Sequence, residues 1–520
     1  MPRVDGQECP SSDRITASLE HEYQAMTTAA RRIAIVGGGL SGLAAAHRLI
    51  ELSRTGQSPI DVTLFEAGPR LGGIIGTTRI GEYLIDTGAD SFLTNKPGAV
   101  SLCQRLGLEQ RLVATDPHYR GAHVLFDGRP VRVPEGFQLM SPSAFWPMLT
   151  TPLLSPWGKL RMLMEYFVPP GHLADESLAD FVRRRFGRET LERLVQPLVG
   201  GIYTSDPERL SLAATLPRFL DMEREHGSLI RAALNQRRKP ANNRTEPASN
   251  STSGGARFGL FAGLKGGMEE LLAALRTVVE EGCRVRTCTK IRSLRKAEGD
   301  HSDGYQSGYR IVLPDGTEEQ FEAVIVATAA HQASVLLDDV DSSLATQLNG
   351  IDYASSVVVI TAHKLADVRH PLDSFGLVVP HRERRRILAT SFSSRKFPDR
   401  APADSVLMRT FVGGAMQPEL FDLDDDQLQQ IVVEELSDIF GVQGDPEISL
   451  VVRYPRAMPQ YHVGHLDRAA GIESRTASHP GLALAGNALR GVGIPDAITS
   501  GEAAANVVLE THAGGRPTFI

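Results

Sequence analysis

The sequence is poor in cysteine. Its four cysteines, Cys9, Cys103, Cys283 and Cys288, are scattered over 520 residues, and no Cys-x-x-Cys pair occurs. Small secreted proteins depend on dense disulfides, whereas sparse and scattered cysteine is typical of a reducing compartment. The composition therefore excludes a disulfide framework and predicts a cytoplasmic protein.

Long apolar runs are also missing. A membrane-spanning helix needs roughly 18 or more apolar residues in a row, and the sequence has no such run. Residues 1–30 are polar and contain the acids Glu8, Asp13, Glu20 and Glu22, which argues against a secretory signal or a transit peptide. We expect this segment to be a disordered N-terminal extension.

An excess of positive charge is absent as well. The chain has 55 Lys and Arg against 62 Asp and Glu, with a net charge of −7, so we expect no nucleic-acid partner. The basic clusters RRRF (183–186) and RERRR (382–386) are interpreted as solvated faces.

What the chain does contain is a glycine motif between a strand and a helix. The apolar run Ile33–Val36 predicts a buried strand, and G-x-G-x-x-G follows at Gly37, Gly39 and Gly42, directly before the helix-forming LAAA. The first glycine permits a tight turn, the second lets a pyrophosphate approach the backbone, and the third allows close helix–strand packing. The helix N-terminus then faces the phosphates.

A second strand adds the acid that a dinucleotide site requires. The stretch DVTLFEA (61–67) places Glu66 at its end, where a carboxylate can accept hydrogen bonds from a ribose. Arg70 and the pair Gly72–Gly73 follow in EAGPRLGG. This extension resembles the flavin-binding stretch of the amine-oxidase-like proteins, and it favours FAD over NAD.

The pattern of elements predicts a discontinuous cofactor domain. We assign residues 31–95, 257–335 and 469–510 to this FAD-binding domain. Residues 96–208 are predicted to form a helical domain. Residues 209–256 and 336–468 are assigned to a substrate-binding domain, in which the low-complexity stretch 237–256 is expected to be a mobile insertion.

Four longer stretches carry a family resemblance. They are DTGADSFLTNKP (86–97), LVQPLVGGIYTSDPERLSLAATLP (194–217), MPQYHVGHLDR (458–468) and LAGNALRGVGIPDAITSGEAAA (484–505). Together they resemble the oxygen-dependent protoporphyrinogen oxidase family, which includes the bacterial coproporphyrinogen III oxidases. The resemblance runs from about residue 31 to residue 510.

The resemblance implies an α/β fold, α+β overall. Its parts are a Rossmann-like FAD domain of the p-hydroxybenzoate-hydroxylase type, a mixed-sheet substrate domain and a helical membrane-binding domain. It also implies oxidation of a porphyrinogen to a porphyrin in heme biosynthesis: six electrons leave through FAD to three O₂, which become H₂O₂. No cysteine follows Cys288, so we expect the FAD to be non-covalent.

The resemblance also assigns site residues. The FAD positions are Gly37, Gly39, Gly42, Glu66, Arg70, Gly73, Ile291, Gly486, Val492, Gly493 and Ile494. The substrate positions are Lys96, Gly201, Phe375, Val378 and Phe411. No catalytic side chain is expected, because hydride transfer to a flavin depends mainly on positioning. His462 and His465 lack neighbouring ligands in the sequence, and we predict no metal site.

Several alternatives stay open from the sequence. The protein could instead be another amine-oxidase-like FAD oxidase, acting on a polyamine or a carotenoid, or a non-catalytic FAD-binding partner. The choice between protoporphyrinogen IX and coproporphyrinogen III is open, as is a homodimer. The stretch 137–170 holds both tryptophans of the chain and fits a peripheral membrane contact on the inner face of the cell membrane, the mouth of an apolar channel, or a helical core.

Overall fold

The computed structural model describes residues 30–56, 59–134, 137–138, 141–142, 145–238, 259–297 and 308–510. Nearly all of the predicted N-terminal extension therefore lies outside the described residues. So does the predicted insertion beyond Arg238.

A five-stranded parallel sheet positions the first glycine motif. In spatial order its strands are Arg284–Arg286, Ile60–Phe65, Arg31–Val36, Ala323–Val326 and Leu482–Leu484. Alternate residues of a strand face opposite sides of a sheet, and a parallel sheet needs both sides covered. Accordingly, Ile33 and Ile35 pack into one hydrophobic core, while Ala34 and Val36 pack into another.

Helices cover one side of this sheet and a small sheet with helices covers the other. The first side carries the helices Leu40–Thr55, Glu269–Gly282 and Ile494–Glu510. The second side carries the antiparallel strands Ser293–Ala297, Gly308–Val312 and Glu318–Phe321, with the helices Ala330–Leu337, Ser342–Asn349 and His465–Ala477.

A seven-stranded mixed sheet forms the second layer. In order its strands are Ile448–Pro459, Tyr353–Lys364, Ser405–Gly413, Ala389–Phe392, Gly376–Val378, His123–Phe126 and Arg129–Arg132. One face packs against the helix Asp425–Phe440. That helix begins at a capping box formed by Asp424 and Gln427. On the opposite face, Val358, Ile360 and Leu407 pack against Tyr83 and Ile85.

A group of helices between residues 145 and 238, here called the helical layer, completes the fold. Its helices are Phe145–Thr150, Pro156–Leu163, Leu178–Arg185, Arg188–Thr190, Gln196–Tyr203, Leu212–Thr215, Pro217–His226 and Leu229–Arg238, with a 3₁₀ turn at Met164–Phe167 and a π turn at Leu191–Val195. They share one hydrophobic core.

Short elements connect these layers. Small antiparallel pairings join Thr77–Ile80 with Tyr83–Asp86, Phe261–Leu264 with both Phe92–Leu93 and Leu112–Ala114, and Phe137–Gln138 with Ser141–Pro142. The remaining helices and 3₁₀ turns are Pro97–Arg105, Glu109–Arg111, Pro117–Tyr119, Leu365–Asp367, His381–Glu383, Ser393–Lys396 and Pro418–Asp422.

The boundaries of the helical layer differ from the sequence prediction. The segment 96–208, predicted as helical, contains the hairpin His123–Phe126 and Arg129–Arg132, which belongs to the seven-stranded sheet. Its turn residues Asp127 and Gly128 have φ of 47° and 74°, the two positive values that an Asp-Gly hairpin turn requires. The Asp127–Gly128 dipeptide is typical of a β-hairpin turn, so the hairpin has a local signal in the sequence.

The basic cluster RRRF is not wholly a solvated face. Arg185 is completely buried in the helical layer and lies between the carboxylates of Glu165 and Glu223. The helix Leu178–Arg185 points this side chain inward, while Arg183 stays near the surface. The interpretation as a solvated face is wrong for Arg185, because a buried charge is tolerated where partners surround it.

Candidate active site

The first glycine turn forms a close strand-to-helix junction. Gly37 has φ of 110°, and a Cβ there would lie 2.7 Å from the carbonyl oxygen of Ala327. A Cβ on Gly42 would lie 1.9 Å from the carbonyl oxygen of Gly37. A Cβ on Gly39 would meet nothing within 4 Å, so this glycine borders open space at the start of the helix. The turn fits a phosphate-bearing group at a helix N-terminus.

Glu66 ties this turn to the next loop. Its Oε2 accepts a hydrogen bond from the backbone N–H of Gly38 and its Oε1 accepts one from Gly68, both at 2.7 Å. Each carboxylate oxygen has further lone-pair capacity, and the side chain is half-buried. Glu66 can therefore accept ribose hydroxyls while holding both loops in place.

Arg70 and Gly73 place a second glycine turn against the first. The guanidinium of Arg70 donates to the carbonyl oxygens of Ile75, at 3.0 Å, and of Gly73, at 2.7 Å. A Cβ on Gly73 would lie 3.2 Å from the Cα of Gly39. Arg70 thus closes its own loop, and the two turns together line one continuous backbone cradle.

Ile291 lies on a segment bound to the Glu66 loop. The backbone N–H groups of Cys288 and Thr289 donate to the carbonyl oxygens of Gly68 and Glu66, at 2.9 and 2.8 Å. Ile291 is 7% exposed, and within the described ranges its own backbone N–H has no hydrogen-bond acceptor. This N–H is therefore available to donate to the edge of a heteroaromatic ring.

The last glycine turn precedes the helix Ile494–Glu510. The N–H of Gly486 donates to Ser500 Oγ at 3.0 Å, and the N–H of Gly493 donates to Asp496 Oδ2 at 3.1 Å. Val492 is half-buried beside the core of the helical layer, and Ile494 is buried. Two side chains of the helix Ile494–Glu510, Ser500 and Asp496, therefore fix the turn, which leads directly into the N-terminus of that helix.

Two aromatic side chains contact this last turn, His465 at the start of the helix His465–Ala477 and Tyr461 in the segment before it. Tyr461 and His465 are stacked, with ring centroids 3.9 Å apart. The hydroxyl of Tyr461 donates to the carbonyl oxygen of Asn487, and Nε2 of His465 donates to that of Leu489. Burial lowers the pKa of His465, so its imidazole is neutral and acts as a structural donor.

Lys96 does not stand free as a substrate cation. Its Nζ lies 2.7 Å from Asp496 Oδ1, the second oxygen of the carboxylate that binds Gly493. Lys96 is therefore linked to the last glycine turn through one shared carboxylate. A substrate carboxylate would have to compete with Asp496 for it.

The predicted substrate residues Val378, Phe411 and Gly201 lie together. Val378 and Phe411 are both paired with Ala389, on the strand between theirs in the seven-stranded sheet, so the three side chains share a face. Gly201 lies over this row, since a Cβ on it would be 3.4 Å from Val378 Cγ1. We call this set the apolar row. Phe375 is half-buried just before the strand of Val378.

A buried ionic cluster that the sequence did not indicate continues from the apolar row. Arg409 precedes Phe411 by two positions on the same strand and therefore faces the same side. Its guanidinium lies 3.2 Å from Asp90, which also binds Lys396 at 2.8 Å. Despite burial, these two cations hold the pKa of Asp90 well below its usual range. Nε of Arg409 has no acceptor among the described residues.

Comparison with protein families identifies the chain. The family model described as flavin containing amine oxidoreductase matches residues 40–509. The chain belongs to this family. The predicted flavin dependence is therefore confirmed, and so is the resemblance on which it depended.

Named relatives match along almost the whole chain. The coproporphyrinogen III oxidase of Bacillus subtilis is 33% identical over 490 residues, which cover 93% of this chain and 99% of the relative. Protoporphyrinogen oxidase 2 of Arabidopsis thaliana is 29% identical, covering 95% and 96% of the two chains. A solved Exiguobacterium structure, named as a protoporphyrinogen oxidase, superposes with a TM-score of 0.79 at 29% identity, over 93% of this chain and 99% of that one.

Proposed function

We propose that this flavoenzyme oxidises a porphyrinogen to the porphyrin in heme biosynthesis, with coproporphyrinogen III as its substrate. The observation that carries the proposal is the similarity to bacterial relatives that bear this name. Two of them are 32–33% identical, and the matches span 99% of each relative. The plant protoporphyrinogen oxidases match at 29–30% identity.

The glycine turns and their partners would hold FAD. Gly37, Gly39 and Gly42 would take the pyrophosphate, with Gly73 extending the cradle and Glu66 binding the adenosine ribose. When bound, FAD accepts a hydride in each of three oxidation steps and passes the electrons to O₂, giving H₂O₂.

The remaining FAD contacts come from two other parts of the chain. The backbone of Ile291 would pair with the adenine. The turn from Gly486 through Val492 and Gly493 to Ile494 would place the N-terminus of the helix Ile494–Glu510 beside the flavin ring, where the helix dipole stabilises negative charge.

The apolar row fits one wall of a porphyrinogen site. A porphyrinogen is a broad apolar ring with carboxylate arms, so it needs apolar contact together with cations. Val378, Phe411 and Gly201 supply the first, and Phe375 extends it. The buried cluster of Arg409, Lys396 and Asp90 has one more cation than anion, and Arg409 is on the same face as Phe411, so the cluster adds positive charge that attracts a carboxylate arm. These residues orient the ring and exclude water, and the chemistry needs no nucleophile.

Enlarging Gly201 tests the apolar row. We expect Gly201→Leu to lower kcat/KM for coproporphyrinogen III about tenfold or more while FAD stays bound, because overpacking a wall costs roughly 1–3 kcal/mol. Gly201→Ala is the matched control. Its Cβ would make an ordinary contact with Val378, so the loss should be small. Equal kcat/KM in both variants and wild type would remove Gly201 from the substrate site.

The preferred porphyrinogen can be measured directly. We expect aerobic assays of porphyrin fluorescence to give a larger kcat/KM for coproporphyrinogen III than for protoporphyrinogen IX, with one H₂O₂ formed per two-electron step. A preference for protoporphyrinogen IX would leave the reaction class intact and overturn the substrate assignment.

We also propose that the helical layer rests on a membrane surface. Among the described residues no helix is long and apolar enough to cross a membrane. The helix Pro156–Leu163 and the following turn nevertheless expose an apolar patch, which comprises Trp157, Leu160, Leu163, Met164 and Phe167. Trp157 is 78% exposed and Phe167 is 77% exposed, so these residues do not form a helical core. Exposed aromatic and aliphatic side chains of this kind favour a lipid interface.

Vesicle flotation tests the apolar patch. We expect the double variant Trp157→Ser, Phe167→Ser to bind vesicles of phosphatidylcholine and phosphatidylglycerol at least about tenfold more weakly than wild type, because each side chain contributes roughly 1.5–3 kcal/mol on burial. Val335→Ser is the matched control, since Val335 is an exposed apolar residue on the helix Ala330–Leu337. No vesicle binding by wild type would contradict membrane contact. A dimer of wild type that the double variant abolishes would assign the patch to a homodimer instead.

A further inference from the structure

Three potential metal ligands meet at the edge of the seven-stranded sheet, away from the apolar row. They are His123, on the strand His123–Phe126, and His370 and Asp373, in the loop before the strand Gly376–Val378. One ligand atom from each lies within 4.8 Å of the other two.

Hydrogen bonding favours one tautomer of His123. When the hydroxyl of Ser374 donates to the carbonyl oxygen of Gly376, at 3.0 Å, its oxygen accepts from Nδ1 of His123, 2.8 Å away. In a neutral imidazole only one ring nitrogen carries a proton. A proton on Nδ1 then leaves a lone pair on Nε2.

That lone pair faces a carboxylate oxygen with nothing between them. Oδ1 of Asp373 lies 3.5 Å from Nε2 of His123, and it is buried with no hydrogen-bond donor among the described residues. The other carboxylate oxygen is 3.4 Å from Arg132. Two facing lone pairs repel each other unless a proton or a metal cation lies between them, and a metal cation can bind both. Two ligand atoms that each lie 2.0–2.1 Å from a tetrahedral ion are roughly 3.3 Å apart. The distance between Nε2 of His123 and Oδ1 of Asp373 is close to this value.

We propose that His123 Nε2, His370 Nε2 and Asp373 Oδ1 bind one divalent transition-metal ion of the Zn²⁺ type. Two imidazoles and one carboxylate suit such an ion, whereas Mg²⁺ and Ca²⁺ prefer oxygen ligands alone. A water molecule completes four-fold coordination. The inference is independent of the proposed function.

His370 is the ligand that must adjust. The N–H of Leu372 donates to its Nδ1 at 3.0 Å, so in this arrangement the ring proton is on Nε2. When the metal binds Nε2, the ring proton moves from Nε2 to Nδ1, and the hydrogen bond from the N–H of Leu372 to Nδ1 is lost. The ring is already held in place by edge contacts with His123 and Phe440, at centroid distances of 5.1 and 5.5 Å.

The site would act as a structural clip. His123 belongs to the hairpin that precedes the helical layer. His370 and Asp373 lie close in sequence to Ser374, the hydrogen-bond partner of His123, which is 251 residues further along the chain. The strand of His123 pairs with the strand Gly376–Val378, which follows the loop of His370 and Asp373, through only two residue positions, Leu377 with His123 and Val378 with Val124. A metal bound only by the folded protein stabilises it by mass action.

Calorimetric titration of ZnCl₂ into chelator-treated, FAD-loaded protein tests the proposal. We expect one Zn²⁺ to bind per chain and to raise the melting temperature. His370→Gln and Asp373→Asn should each weaken binding at least about tenfold, since even supporting residues around metal sites commonly contribute that much. Both residues are half-buried, so these variants should fold. MgCl₂ should give no heat.

His118→Gln is the matched control. His118 lies 2.9 Å from Asp116 in an exposed pair without a third ligand. Unchanged Zn²⁺ affinity in His118→Gln, together with weaker Zn²⁺ binding in His370→Gln and Asp373→Asn, supports the structural clip. No Zn²⁺ binding by wild type, or binding that survives both His370→Gln and Asp373→Asn, overturns the proposal.

Discussion

Replacing Gly39 by alanine is expected to weaken FAD binding about a hundredfold, a loss of roughly 3 kcal/mol. A Cβ at this position meets no protein atom within 4 Å, and the backbone there, at φ −71° and ψ −178°, suits alanine. The only new conflict is with a group that approaches the helix N-terminus. The apoprotein should therefore lose less than about 1 kcal/mol, the ordinary effect of a changed helix cap.

Gly42→Ala provides the contrast. Its Cβ would lie 1.9 Å from the carbonyl oxygen of Gly37, so the helix must move away from the strand and the apoprotein itself is destabilised. The two variants are compared by flavin titration and by melting of the apoproteins. Full FAD affinity in Gly39→Ala would mean that no phosphate approaches this turn.

Replacing Arg185 by alanine is expected to lower the free energy of unfolding by about 3–5 kcal/mol, the usual result of breaking a buried ion pair. Its Nε donates to Glu223 Oε1 at 2.6 Å and its Nη1 donates to Glu165 Oε1 at 3.1 Å. Glu165 also accepts from the N–H groups of Leu229 and Ile230, at the start of the helix Leu229–Arg238. Without Arg185, the buried carboxylate of Glu165 loses its cation, and Glu223 keeps only Arg184.

Arg183→Ala is the control for this prediction. Arg183 is on the same helix, but its side chain is 40% exposed and pairs with Glu208 at the surface. Exposed pairs contribute about 0–1 kcal/mol. Urea unfolding monitored by helical circular dichroism compares both variants with wild type, and equal losses would contradict a structural role for the buried cluster.

The parts of the site that the sequence predicted are local. Gly37, Gly39 and Gly42 lie within six positions of the chain. Close neighbours require Gly37 and Gly42, whereas Gly39 borders open space at the start of the helix. The strand, turn, helix and acid pattern needs no long-range information. The same holds for the apolar strand that ends at Val36.

The parts that the sequence did not predict depend on distant partners. Asp90 and Lys396 meet across 306 residues, and Lys96 and Asp496 meet across 400. Side-chain type alone could not show that Arg185 is buried or that Lys96 is already paired. The hairpin around Asp127 had a local signal, but its place in the seven-stranded sheet depends on pairing with the strand Gly376–Val378.

The measurement that tests the central claim most directly is an anaerobic titration of the FAD-loaded protein with coproporphyrinogen III. The account predicts that the visible absorption of the oxidised flavin bleaches as substrate is added, and that air restores it together with porphyrin fluorescence and H₂O₂. A flavin that stays oxidised with both porphyrinogens, yet bleaches with a polyamine, would contradict it.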